Sequence, residues 1–142
     1  MPYLSTFVFS EDSKQVLDSN GQGSSLHLVN PQNIFRPMFI PGTYSFSVTL
    51  GIGALDITAE NTFQLVIRFD KDDSQAVINT GEVLLPKSPQ RDPIIPPEAE
   101  GIMFNMDFRN APFKIAGKYI AEVFINKKLI DTKTLYIYPQ EQ

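Results

Sequence analysis

Apolar and polar residues alternate along most of this chain with the period of two that marks a half-buried β-strand. The clearest run is 44–50. Tyr44, Phe46, Val48 and Leu50 lie on one face, Ser45, Ser47 and Thr49 on the other, and Gly51 and Gly53 close it. This predicts one buried and one wet face. Residues 62–69 repeat the pattern through Phe63, Leu65, Ile67 and Phe69, and residues 102–108 through Ile102, Phe104, Met106 and Phe108. Residues 3–10 are apolar on both faces, as a strand near the middle of a sheet is. Weaker strands are predicted at 14–17, 26–29 and within 75–85, with a hairpin that brings Val16 near Leu28 around an Asn20-Gly21 turn.

The chain is organised around its last hairpin, residues 117–138. Gly117 to Ile125 runs out, Asn126-Lys127-Lys128 turns, and Leu129-Ile130 with Leu135 to Tyr138 returns. Placing Tyr119, Ala121, Val123, Ile125, Leu135 and Ile137 inward sends Lys118, Ile120, Glu122 and Phe124 outward on the first strand and Tyr136 and Tyr138 outward on the return. An inward Ile130 has the wrong parity for Leu135, so it requires a bulge between Asp131 and Thr134. Ile120, Phe124, Tyr136 and Tyr138 are therefore the candidate interface, an apolar patch on neighbouring strands.

The connections are read from their breakers. Residues 30–43 hold Pro31, Pro37 and Pro41, and form an extended passage anchored by Ile34, Phe35, Met38 and Phe39. Residues 71–74 are a turn. Residues 86–100 hold five prolines, cannot be a central strand, and predict an extended crossing from one sheet to the other. No stretch has helical spacing. The pattern predicts an all-β, two-sheet antiparallel sandwich of seven to eight strands, as one domain over residues 1–142. Its expected core is Phe7, Phe46, Val48, Phe63, Leu65, Ile67, Phe104, Phe108, Tyr119 and Val123.

Composition changes this picture little. Hydrophobic residues are 42% and charged residues 20%, which is ordinary for a globular chain. The net charge of −4 speaks against nucleic acid as a partner. No apolar stretch approaches the ~18 residues of a membrane span, and no signal peptide is visible, so no membrane partner is expected and the cytoplasm is the default location. There are no cysteines, which removes disulfides, thiolate zinc sites and cysteine nucleophiles.

Candidate chemistry is sparse. His27 is the single histidine, on a predicted strand, and no Gly-x-Ser-x-Gly elbow exists to expose a serine. No enzyme, metal or cofactor is expected. The Asp70, Asp72, Asp73 turn suits calcium chemically, but needs a second acidic loop at the same end, for which Asp56 and Asp107 are the candidates. Lys114, Lys118, Lys127, Lys128 and Lys133 read as edge and turn lysines that keep strands from pairing with other chains. The prolines of 86–97 read as a stiff connection.

Ala116-Gly117-Lys118-Tyr119-Ile120-Ala121 resembles the Ala-Gly-x-Tyr-x-Cys run that opens strand F of immunoglobulin domains. The resemblance places Tyr119 at a tyrosine corner and Ala121 where the second cysteine stands. The chain departs from that pattern in lacking cysteine and tryptophan, and Ile115 stands where an Asp is usual. The order and spacing of the strands also resemble a family of small bacterial β-sandwich proteins of unassigned function. That resemblance implies an immunoglobulin-like or C2-like fold and carries no activity. The expected function is non-enzymatic: protein–protein contact, with a partner or a second copy as in a homodimer. A calcium- or ligand-binding C2-like module, or a structural component of a phage or secretion assembly, are the alternatives.

Overall fold

A computed structural model describes residues 1–17, 19, 21, 23–71 and 75–140. In chain order the strands are β1 (Tyr3–Leu17), β2 (Ser24–Pro31), β3 (Ile34–Phe35), β4 (Gly42–Gly53), β5 (Thr62–Phe69), β6 (Ala76–Asn79), β7 (Val83–Leu84), β8 (Gly101–Phe113), β9 (Gly117–Ile125) and β10 (Lys128–Ile137). They form a four-stranded sheet ordered β2-β1-β4-β8 and a six-stranded sheet that includes β3-β10-β9-β5-β6, with β7 beside β5. Among the described residues the only helical turn is a short 3₁₀ turn, Pro97–Ala99.

The fold is thus the expected two-sheet sandwich, with ten strands among the described residues in place of seven or eight. The excess comes from short edge pieces. β3 and β7 have two residues each, too few for any periodicity to show. The first strand is also longer than its apolar run. Polar residues 11–13 continue it, because Asp12 and Ser13 pair with Val29 and Leu28 of β2. Val16 lies opposite Ser25, three residues from the expected partner, and Asn20 of the expected turn lies outside the described residues.

The core lies between the sheets. Phe46, Val48, Leu50 and Ile52 of β4 face Phe63, Leu65 and Ile67 of β5 and the inward rows of β9 and β10, all buried. Each such side chain contributes on the order of 1.5–3 kcal/mol. Phe7, Phe104 and Phe108, expected in the core, are half-buried and pack against it, because β1 curves away and β8 is an edge strand. Phe104 still meets Phe63 edge-on at 4.9 Å, which ties the two sheets together.

The wet face expected on β4 is dry at Ser47 and Thr49. Ser13, three residues beyond the last β1–β4 pair, bonds to Asn105 and Asp107 of β8, two strands away. The second half of β1 therefore bends over the outer face of β4 and covers those hydroxyls. The proline-rich segment does cross between sheets, from β7 to β8. It is pinned on the way by Ser88 N donating to Ile57 O at 2.8 Å and by an Arg91–Glu100 ion pair at 2.5 Å.

The order of strands is that of an immunoglobulin-like sandwich. β5, β9 and β10 stand as C, F and G, and β1, β4 and β8 stand as A, B and E. Tyr119 OH donates to Ile115 O at 2.6 Å, which makes the tyrosine corner at the entrance to β9.

Candidate functional site

Alternation in the last hairpin is as expected. Tyr119, Ala121, Val123, Ile125, Leu135 and Ile137 are buried, while Ile120, Phe124 and Tyr136 point out and are half-buried. The bulge exists, but one step earlier than expected. The register shifts between Leu129 and Asp131, so Ile130 itself is the extra residue, and it packs against the core. The two turn residues Asn126 and Lys127 both have positive φ, 51° and 68°, and the strands pair again at Ile125 and Lys128. That two-residue loop with both φ positive matches strand twist, and it fixes the face on which each hairpin residue lies.

The four candidate interface residues do not form one patch. Glu122 sits between Ile120 and Phe124 and is bonded to Arg68 of β5 at 3.2 Å. This ion pair isolates Phe124, opposite Gln64 and Leu129, from the other three. Tyr136 lies opposite Lys118 on one side and Ile34 on the other. Ile120 is one pair further along, opposite Thr134. Tyr138 continues the row past the end of β10 and is 46% exposed.

The structure adds residues that the sequence predicts as anchors. Residues 33–40 run beside the end of β10 in parallel: Tyr136 N donates to Asn33 O, Tyr138 N to Phe35 O and Gln140 N to Pro37 O, at 2.9, 3.2 and 2.9 Å. Within that segment Phe35 and Pro37 are buried and Ile34, Arg36 and Met38 face out. Ile34 is 42%, Met38 64% and Phe39 69% exposed, so of the four expected anchors only Phe35 is buried. The signal was in the sequence. Ile34, Arg36 and Met38 share a parity, and a charged residue in that row marks it as the outer one. The segment lies beside β10 and extends the outer face instead of covering it.

This corner is held rigidly. Arg36 Nε donates to Tyr138 O at 3.0 Å and Arg36 Nη2 to Pro139 O at 2.7 Å, and Gln140 Nε2 donates to Arg36 O at 2.9 Å. A cleft of about 350 Å³ runs alongside, lined by Arg36, Met38, Phe39, Tyr44 and Gln140 among others. Ile34, Met38, Tyr136 and Tyr138, with Ile120 behind them and Arg36 between Ile34 and Met38, thus stand outward as a strip on β10 and on the segment hydrogen-bonded along its end.

The other candidates separate in space. Asp56 lies in the loop before β5 and Asp70 directly after it, at opposite ends of an eight-residue strand. Asp107 is mid-strand on the other sheet. Neither supplies the second acidic loop that calcium at Asp70 needs. Asp72 and Asp73 lie outside the described residues, and Asp70 faces Lys118 at 3.9 Å. No metal-holding group of three ligands occurs among the described residues. His27 is exposed on β2, opposite Lys14. Lys133 pairs with Asp131 at 3.8 Å on the outer strand β10.

Polar side chains gather once more, on the outer face of the four-stranded sheet. Asp107 Oδ1 accepts from Ser47 Oγ, from Ser13 Oγ at 3.2 Å and from Asn105 Nδ2 at 3.3 Å, while Thr49 Oγ1 donates to Asn105 Oδ1 at 2.9 Å. The Ser47 hydrogen bond, helped by those of Asn105 and Ser13, holds the Asp107 carboxyl below the usual range. The Asp107 carboxylate is the acceptor of the Ser47 hydroxyl, and the bonds that reach Ser13 clamp the bent end of β1 to β8.

No protein-family model matches the chain, and neither does any curated protein. Among solved structures it is similar to an immunoglobulin-like protein from Pseudomonas aeruginosa, at 11% identity and a TM-score of 0.44, over 96% of each chain. No helix among the described residues is long and apolar enough to cross a membrane.

Proposed function

We propose that this β-sandwich is a non-enzymatic docking module that binds another protein through the outer corner of its six-stranded sheet, at Ile34, Met38, Tyr136, Tyr138 and Ile120. One observation carries the reading: large apolar and aromatic side chains stand out from β10 and from the segment hydrogen-bonded along its end. Side chains fixed before binding lose little freedom when they bind. Tyr, Met and Arg are enriched at protein interfaces, and Arg36 supplies a polar member within the strip. Lys118 and the Arg68–Glu122 pair give the strip a charged border.

The test compares wild type with an Ile34→Ser/Tyr136→Ser double variant and with Phe124→Ser. All three keep the same cooperative unfolding. The double variant loses capture of the partner that wild type retains from the cell of origin, and Phe124→Ser keeps it, because the ion pair separates Phe124 from the strip. Equal capture by all three rejects this face.

A further inference from the structure

Among the described residues several strand edges carry a feature that opposes pairing. Along the open part of β10 stand Lys128, Asp131 and Lys133, and the bulge at Ile130 twists the strand. β6 has four residues. β2 has eight residues and ends at Asn30, with φ 53°, and Pro31. β8 differs. It is 13 residues long, pairs only with β4, and from 101 to 108 none of its residues makes a further backbone-to-backbone hydrogen bond among the described residues. From 101 to 108 it carries no Lys, Arg or Pro. Its one charge there, Asp107, is engaged by Ser47, Ser13 and Asn105 on the side of β4 and β1. Its inward row, Ile102, Phe104, Met106 and Phe108, is half-buried because no strand lies beyond it.

We infer that β8 pairs antiparallel with β8 of a second copy of this chain, about a two-fold axis at Asn105, to make one continuous sheet from two four-stranded ones. The run is self-complementary in that register. Phe104 meets Met106 of the copy and Ile102 meets Phe108, so both inward rows are completed with apolar partners. The pairing stops at the β8 bulge, where the register slips between Phe108 and Ala111 and Asn110 has φ 54°. Charge fits as well. Each Asp107 lies opposite Met103 of the copy, and the two Asp107 residues are four positions apart, about 13 Å at strand spacing, beyond the screening length of physiological salt. Met103 is 63% exposed and points out of the sheet, so it is free to take that neighbour.

This goes beyond the docking face, which lies at the opposite edge of the other sheet, and its test separates the two. Light scattering is recorded over a micromolar-to-millimolar series for wild type, Met103→Glu and Met103→Lys, with circular dichroism to confirm that all fold alike. Wild type is a dimer at the upper end. Met103→Glu sets a carboxylate opposite Asp107 twice per dimer and weakens association about tenfold, whereas Met103→Lys preserves or tightens it. A monomer throughout, or a dimer that responds identically to Glu and Lys, overturns the proposal. So does a dimer abolished by Ile34→Ser/Tyr136→Ser, which would place self-association on the docking face.

Discussion

Replacing Tyr119 by Phe removes one oxygen at the entrance to β9 and isolates what the tyrosine corner contributes. The ring is buried between Phe69 and Phe113, at 5.2 Å from each, and Phe keeps those contacts. What is lost is the hydrogen bond to Ile115 O at 2.6 Å. A typical intramolecular hydrogen bond is worth about 1 kcal/mol net, and more when its loss strands a buried group. Ile115 is an exposed residue and the bond is part-buried, so the loss is set near that of a typical bond. The expected loss is about 1–1.5 kcal/mol. A 142-residue chain unfolds with an entropy of roughly 0.3 kcal/mol/K, which converts that loss to a Tm drop of about 3–5 °C. Urea denaturation should show a lower midpoint with an unchanged slope, since the buried surface is the same. A Phe variant as stable as wild type would refute the corner as a brace for the β8–β9 crossing.

Three further substitutions probe other links. Asp107→Asn costs about 1 kcal/mol at pH 7, discounted for its exposure. Because the folded carboxyl titrates below its unfolded value, the advantage of wild type is full above about pH 4 and fades as pH falls through the folded pKa; a gap that widens in acid would contradict the clamp. Gly101→Ala drives a Cβ to within 1.8 Å of Ile52 O across the β4–β8 ladder, so it should cost about 3 kcal/mol in thermal unfolding, and a neutral result would mean that β8 does not lie as described. Lys127→Gly removes the strain of a side chain at φ 68° in the hairpin turn and should stabilise by up to about 1 kcal/mol; a loss of stability would mean that the Lys127 side chain holds the turn.

Strand type, sandwich layering, the tyrosine corner and the parity of the last hairpin were all legible in the sequence, because each rests on a short-range period or a local motif. Misreadings arose where a distant segment decides. Ser47 and Thr49 read as wet because nothing local shows that β1 bends over them. Met38 and Phe39 read as anchors because large apolar residues usually are, and only pairing with the end of β10 reveals that their segment has a buried row of its own, Phe35 and Pro37. The proposed patch was split for a similar reason. Arg68 and Glu122 are far apart in sequence, and their pairing follows from the β5–β9 register, which no single strand encodes.

Contact between the outer corner and another protein is the central proposal. A photoreactive phenylalanine analogue placed at Tyr138, expressed in the cell of origin and irradiated, tests this directly, with the same analogue at Thr6 on the other sheet as the reference. The prediction is a discrete heavier adduct from position 138 that disappears when Ile34→Ser and Tyr136→Ser are added, and none from position 6. No adduct at 138, or equal adducts from both positions, would contradict it.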